Sequence, residues 1–164
     1  MAEVLLPVDW LGTAPRLSRA QISPLDEPSS VSEYERKGGS IMPSKKILLV
    51  DDSDTILKVE QMLLRDEPYE LIIARDGAEG VAKALETHPD LILMDVVMPK
   101  MDGFEAVKQL RDNSTTSDVP IVMVTTQSEA ESMETGYLNG CSDYIVKPID
   151  GTELITKVKS LLGE

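Results

Sequence analysis

The sequence predicts an open, doubly wound α/β domain built on a five-stranded parallel sheet. Three observations predict it. Apolar runs and amphipathic helical stretches alternate through residues 45–164. The runs are continuously hydrophobic rather than alternating, which marks strands buried on both faces. Four of them end in a polar residue with chemical capability, and right-handed crossovers between parallel strands bring all such ends to one edge.

The elements follow in order. Lys46-Ile47-Leu48-Leu49-Val50 runs into Asp51-Asp52 as the first strand. Residues 54–64 carry Ile56, Val59 and Leu63 at helical spacing. Residues 70–74 read as the second strand, and 78–87 as a helix with Val81, Ala82 and Leu85 on one face. Leu91-Ile92-Leu93-Met94 runs into Asp95 within a third strand over 90–95, and residues 103–111 form a helix through Ala106, Val107 and Leu110. Residues 119–124 are the fourth strand, entered at Pro120 and running into Thr125. A helical stretch over 129–138 is interrupted by Gly136. Tyr144-Ile145-Val146 runs into Lys147-Pro148 as the fifth strand. Residues 152–162 close the chain with a stripe of Leu154, Ile155, Val158, Leu161 and Leu162.

Residues 1–44 differ in kind. They hold Pro7, Pro15, Pro24 and Pro28, many serines, and no sustained period, so they read as an N-terminal extension or linker, mostly disordered. Gly38-Gly39-Ser40 resembles an engineered linker, and Met42 is a plausible start for the domain at 45–164. The apolar patch at 4–11, with Trp10, is a candidate docking peptide. Four Lys/Arg against six Asp/Glu leave this extension at −2, so −11 of the net −13 belongs to the rest.

That acidity argues against direct nucleic-acid binding and against a polybasic membrane contact. No apolar run approaches the ~18 residues of a membrane span, and the N-terminus lacks a basic start, so a cytoplasmic location is expected. The single cysteine, Cys141, excludes an intrachain disulfide and reads as a small packing residue.

Asp51, Asp52 and Asp95 would meet at the common sheet edge. Three clustered carboxylates repel one another and need a cation or protons, and oxygen-only ligands suit Mg2+. A carboxylate beside that ion can attack phosphorus to give an acyl phosphate. Lys147 could pair with a phosphoryl oxygen, and the Thr125 hydroxyl could donate to another. Taken singly, Asp52 or Thr125 would read as a helix cap, and Lys147 as an exposed loop charge. The set of five is harder to dismiss.

Asp51-Asp52-Ser53, the run from Met94-Asp95 through Val96, Val97, Met98, Pro99, Lys100, Met101 and Asp102 to Gly103, Val124-Thr125 and Lys147-Pro148 resemble the receiver domain of two-component response regulators. The resemblance covers residues 45–164 and is closest to single-domain chemotaxis regulators. It implies a flavodoxin-like strand order 2-1-3-4-5. It implies Asp95 as the phosphoacceptor, modified by a histidine kinase. It implies Mg2+ at Asp51, Asp52 and Asp95, with Asp52 and Asp95 the leading direct ligands and the Val97 backbone carbonyl another. Lys147 is implied to contact the phosphoryl group before a cis Pro148. Thr125 is implied as the switch hydroxyl and Tyr144 as the switch aromatic. Output to a downstream protein is implied to pass through the Tyr144 face, formed by the 129–138 stretch, the fifth strand and the last helix.

Two positions depart from a common pattern: Val97 is apolar beside the site, and Gln127 is polar two residues past Thr125. With nothing after Glu164 to serve as an output domain, the expectation is a stand-alone regulator acting by protein contact, and not an enzyme beyond its own phosphorylation and dephosphorylation. The alternative is a phosphorylation-independent interaction scaffold on the same fold, but no acidic, Thr or Lys site residue is missing. A hydrolase working through aspartyl phosphate would want an Asp two residues after Asp95, where Val97 stands, and a substrate cap. His88, the only histidine, precedes Pro89 and reads as a loop residue.

Overall fold

The structure is a computed structural model that describes residues 44–126, 128–129 and 140–164. The chain divides into two units, 1–42 and 43–164, and the first lies outside the described residues. The apolar patch at 4–11, Gln127 and the helical stretch expected over 129–138, beyond Glu129, lie outside them as well.

The described unit alternates strand and helix: β1 (Lys45–Val50), α1 (Asp54–Leu64), β2 (Tyr69–Ala74), α2 (Gly77–Thr87), β3 (Leu91–Asp95), α3 (Gly103–Asp112), β4 (Ile121–Thr125), β5 (Asp143–Val146) and α4 (Gly151–Leu162). The five strands form one sheet in the order β2-β1-β3-β4-β5, and every pairing is parallel. This is the doubly wound, flavodoxin-like sheet expected. The register levels the strand ends. Val50 lies opposite Met94, Asp95 opposite Val124, and Thr125 opposite Val146. Asp51, Asp95, Thr125 and Lys147 are thereby brought to one edge.

Both faces of the sheet are covered. Leu48, Val50, Ile92, Met94, Ile121 and Met123 pack with Ala84, Ala106, Val107 and Leu110, under α2 and α3. Ile47, Leu49, Leu91, Leu93, Val122, Val124 and Ile145 pack with Leu57, Leu64, Leu154 and Val158, under α1 and α4. All five residues of β3 and of β4 are buried, which is why these strands read as unbroken apolar runs.

Each of these four helices starts on a side-chain cap. Ser53, Asp76, Asp102 and Asp150 accept the backbone N–H three residues on. His88 closes α2 with a left-handed backbone, φ 49°, and donates its N–H to the Ala84 carbonyl. It is thus a cap at the loop entry, with no place in the sheet-edge site.

Two helix faces differ from the sequence expectation. On α1 the fully buried stripe is Leu57, Glu60 and Leu64, while Ile56, Val59 and Leu63 flank it half-buried. The rotation is one residue, about 100°, and a glutamate in the stripe hides the true face. On α2 the buried residues are Gly77, Gly80 and Ala84, and Ala82 faces solvent. Small residues let this helix lie close: a Cβ on Gly80 would stand 2.9 Å from Val50 Cγ1.

Arg111 ties the end of α3 to the approaches of two strands. Its Nη1 points at the carbonyls of Thr116, Ser117 and Val119 at 3.2, 2.9 and 2.8 Å, and its Nε donates to Gly140 O at 2.8 Å. Arg111→Met keeps the stem but strands these carbonyls. It is expected to lower the urea unfolding free energy by about 2 kcal/mol; a loss within ~0.5 kcal/mol, the usual surface range, would contradict the assignment.

Candidate functional site

Asp51 follows β1 directly, fixed by its N–H on Ala74 O at 3.2 Å. It is 1% exposed. Its Oδ1 accepts the Ser53 N–H at 2.7 Å, so the carboxylate is aimed by the turn into α1. Asp95 ends β3 and is 6% exposed; Asp52, between them in sequence, is exposed. Each of the three offers an oxygen within 4.8 Å of the other two.

Lys147 enters from β5. Its N–H bonds Thr125 O at 2.7 Å, which carries the chain past the end of β4. Its Nζ lies 3.1 Å from Asp51 Oδ2 and 2.9 Å from Asp95 Oδ1. The Lys147–Pro148 peptide is cis, as the resemblance implies. Thr125 ends β4, fully buried. The expected five residues therefore converge.

The electrostatics describe a site short of positive charge. Three carboxylates face one ammonium. Burial pushes the Asp95 carboxyl up to about 6, against the lowering effect of its Lys147 bond, and the charge of Asp51 adds to the rise. Burial pulls the Lys147 ammonium down, but its bonds to Asp95 and Asp51 outweigh that and leave it raised. Such a group of hard oxygen donors, incompletely neutralised, fits a divalent cation of the Mg2+ type. Asp51, Asp52 and Asp95 are the residues able to hold it. Val97, implied to add its backbone carbonyl, is 61% exposed.

Gly103 fixes the floor. Its N–H donates to Val96 O at 2.8 Å, stapling the start of α3 to the chain just beyond Asp95. A Cβ there would lie 2.2 Å from the Asp95 carbonyl oxygen.

Tyr144 sits half-buried in β5, beside the core under α2 and α3. Lys157 of α4 stands over its ring, 5.3 Å from the centroid, within cation–π range. The same ammonium bonds Asp143 Oδ1 at 2.9 Å, Tyr144 O at 2.6 Å and Glu153 Oε1 at 3.2 Å. Sequence reasoning did not single out Lys157, nor two acidic residues near the centre. Glu60 is 1% exposed beneath the site and its Oε2 has no hydrogen-bond partner. Glu129 bonds Thr125 directly. The Thr126-x-x-Glu129 spacing, a capping-box pattern, was the available signal for Glu129; a charged residue in an apolar stripe was the one for Glu60.

Comparison with known proteins agrees with this geometry. The family model for the response regulator receiver domain matches residues 47–159. Protein PilH of Pseudomonas aeruginosa is 36% identical over 118 residues, which is 72% of this chain and 98% of PilH. The transcriptional regulatory protein ResD of Bacillus subtilis is 42% identical over 117 residues, but the match spans only 48% of ResD. Among solved structures, the Vibrio cholerae chemotaxis protein CheY4 superposes with TM-score 0.67 at 37% identity, covering 72% of this chain and 98% of that one. The receiver domain of the sensor histidine kinase PA1611 from Pseudomonas aeruginosa gives TM-score 0.68 at 30% identity, covering 74% and 99%; that structure holds a magnesium ion in its active-site cleft.

Proposed function

This chain belongs to the response regulator receiver domain family, and on that premise we propose that it is a stand-alone phosphoacceptor of a two-component phosphorelay. The observation that carries the reading is Lys147 spanning Asp51 and Asp95 at the common end of the sheet. Asp95 is the nucleophile. One of its oxygens attacks the phosphorus of a histidine-kinase phosphohistidine; the O–P bond forms as the P–N bond breaks, and the imidazole leaves with the electron pair and takes up a proton. Lys147 exchanges its Asp95 contact for a phosphoryl oxygen, and the Thr125 hydroxyl donates to a second. An Mg2+ ion held by Asp51, Asp52 and Asp95, with the Val97 carbonyl, would offset the charge on the phosphoryl oxygens, and the magnesium in the PA1611 receiver domain supports this. Water attack on phosphorus breaks the O–P bond to Asp95, releases inorganic phosphate and restores the carboxylate. The protein is in this reading a timed switch rather than a turnover enzyme.

The output is a changed surface around Tyr144 and α4, offered to a downstream protein. The net charge of −13 weighs against direct nucleic-acid binding and leaves protein contact as the proposed output. Among the described residues no helix is long and apolar enough to cross a membrane; we assign the protein to the cytoplasm.

Radiolabelled acetyl phosphate tests the reading. The full chain should take up label when Mg2+ is supplied, take up none when the metal is chelated before the phosphodonor is added, and show only background in Asp95→Ala. Asp112→Ala, at the far end of α3, should label as wild type does. Persistent labelling of Asp95→Ala would remove Asp95 from the role.

A further inference from the structure

Thr125 has one hydroxyl proton, and in the reading above a phosphoryl oxygen needs it. In this structure that proton is already engaged. Thr125 Oγ1 donates to Glu129 Oε2 at 3.0 Å, with the Thr126 carbonyl a longer alternative at 3.3 Å. The same Glu129 oxygen accepts the Thr126 N–H at 2.8 Å. Thr125 is fully buried at the end of β4, so its hydroxyl has little freedom to find other partners.

We propose that Glu129 is a positioning residue that latches the switch: it holds the Thr125 hydroxyl away from the phosphoryl site until a phosphoryl group on Asp95 competes for it. The inference rests on the phosphoacceptor reading and deepens it. The bond from Thr126 N–H, working against partial burial, keeps the Glu129 carboxyl below the ordinary range. It is therefore an ionised acceptor at neutral pH, and the Thr125 bond is charge-assisted. Glu129 also feels the positive charge of Lys147. A phosphoryl dianion paired with Lys147 removes that attraction and adds repulsion, so the event that claims the Thr125 proton also loosens its holder. The Thr126 N–H contact ties this release to the backbone immediately after β4.

A latch of this kind stabilises the unphosphorylated state, so it lowers the apparent affinity of anything that selects the other state. Beryllofluoride with Mg2+, titrated onto the full chain and followed by 19F NMR, reads that affinity. Glu129→Gln keeps the length and an acceptor for the Thr126 N–H but discards the charge. It is expected to tighten beryllofluoride binding by about fivefold or more, the range of a modest coupling between sites. In Thr125→Val, which lacks the hydroxyl, the same Glu129→Gln change is expected to give a clearly smaller gain, the part owed to lost charge repulsion alone. This background separates a latch from a mere helix cap, because a cap works with or without the hydroxyl. An unchanged affinity in Glu129→Gln, or an equal gain in both backgrounds, overturns the latch alone. Wild-type protein that takes up no beryllofluoride overturns the phosphoacceptor reading and the latch with it.

Discussion

Glu60→Leu is expected to raise the unfolding free energy at pH 8 by about 1–4 kcal/mol, the range seen when buried ionic groups give way to packed apolar side chains. The position sits in the middle of the α1 stripe between Leu57 and Leu64, and those neighbours pack into the core under α1 and α4. Burial is the main cause that pushes the Glu60 carboxyl from 4.5 to about 8; the charge of Asp51 adds to the rise and that of Lys147 opposes it. The folded protein thus holds this proton more tightly than the unfolded chain. Its contribution to stability is fully present below about 4.5 and is lost as pH rises through about 8. At ~1.4 kcal/mol per unit the loss is several kcal/mol. Urea titrations at pH 5 and pH 8 should show wild type weakening over this interval and Glu60→Leu weakening far less. If both lose stability equally, Glu60 is not the buried acid that the structure indicates.

Gly103→Ala carries the second large effect and acts on backbone rather than charge. The added methyl would meet the Asp95 carbonyl oxygen at 2.2 Å and Met123 Cε at 2.9 Å. The methionine end can move. The carbonyl belongs to Asp95 at the end of β3, and α3 is stapled beside it through Gly103 N–H to Val96 O. Relief requires moving the start of α3 or the end of β3. The expected loss exceeds ~3 kcal/mol, at the upper end of overpacking costs, and folded protein should phosphorylate poorly because Asp95 is displaced. Gly163→Ala is the contrast. Nothing lies within 4 Å of its Cβ, and only its φ of 74° resists substitution, so about 1 kcal/mol is expected. Similar losses for the two variants would refute the close-approach argument.

The sheet edge was largely legible because chemistry and pattern coincide there. Asp95 and Thr125 close apolar runs, Asp51 and Lys147 directly follow them, and parallel pairing converts those sequence positions into a shared place. Asp76, Asp102 and Asp150 cap α2, α3 and α4, a start signal that the apolar spacing alone did not draw on. Legibility failed where a side chain works against its type. Glu60 is charged and buried, so the sequence pattern pointed to the face one residue round the helix. Ala82 is apolar and exposed, because α2 seats glycine and Ala84 against the sheet instead. Glu129 and Lys157 look like ordinary surface charges; only the fold reveals that one holds the Thr125 hydroxyl and the other covers the Tyr144 ring.

In the proposed switch Asp95 carries the phosphoryl group. Borohydride reduction of the phosphorylated full chain, followed by peptide mass spectrometry, tests it most directly, because reduction converts an aspartyl phosphate to homoserine. The account predicts homoserine at position 95 alone, formed only when phosphodonor and Mg2+ are both supplied. Phosphate recovered on His88, or on a serine or threonine, with position 95 unmodified, would contradict it.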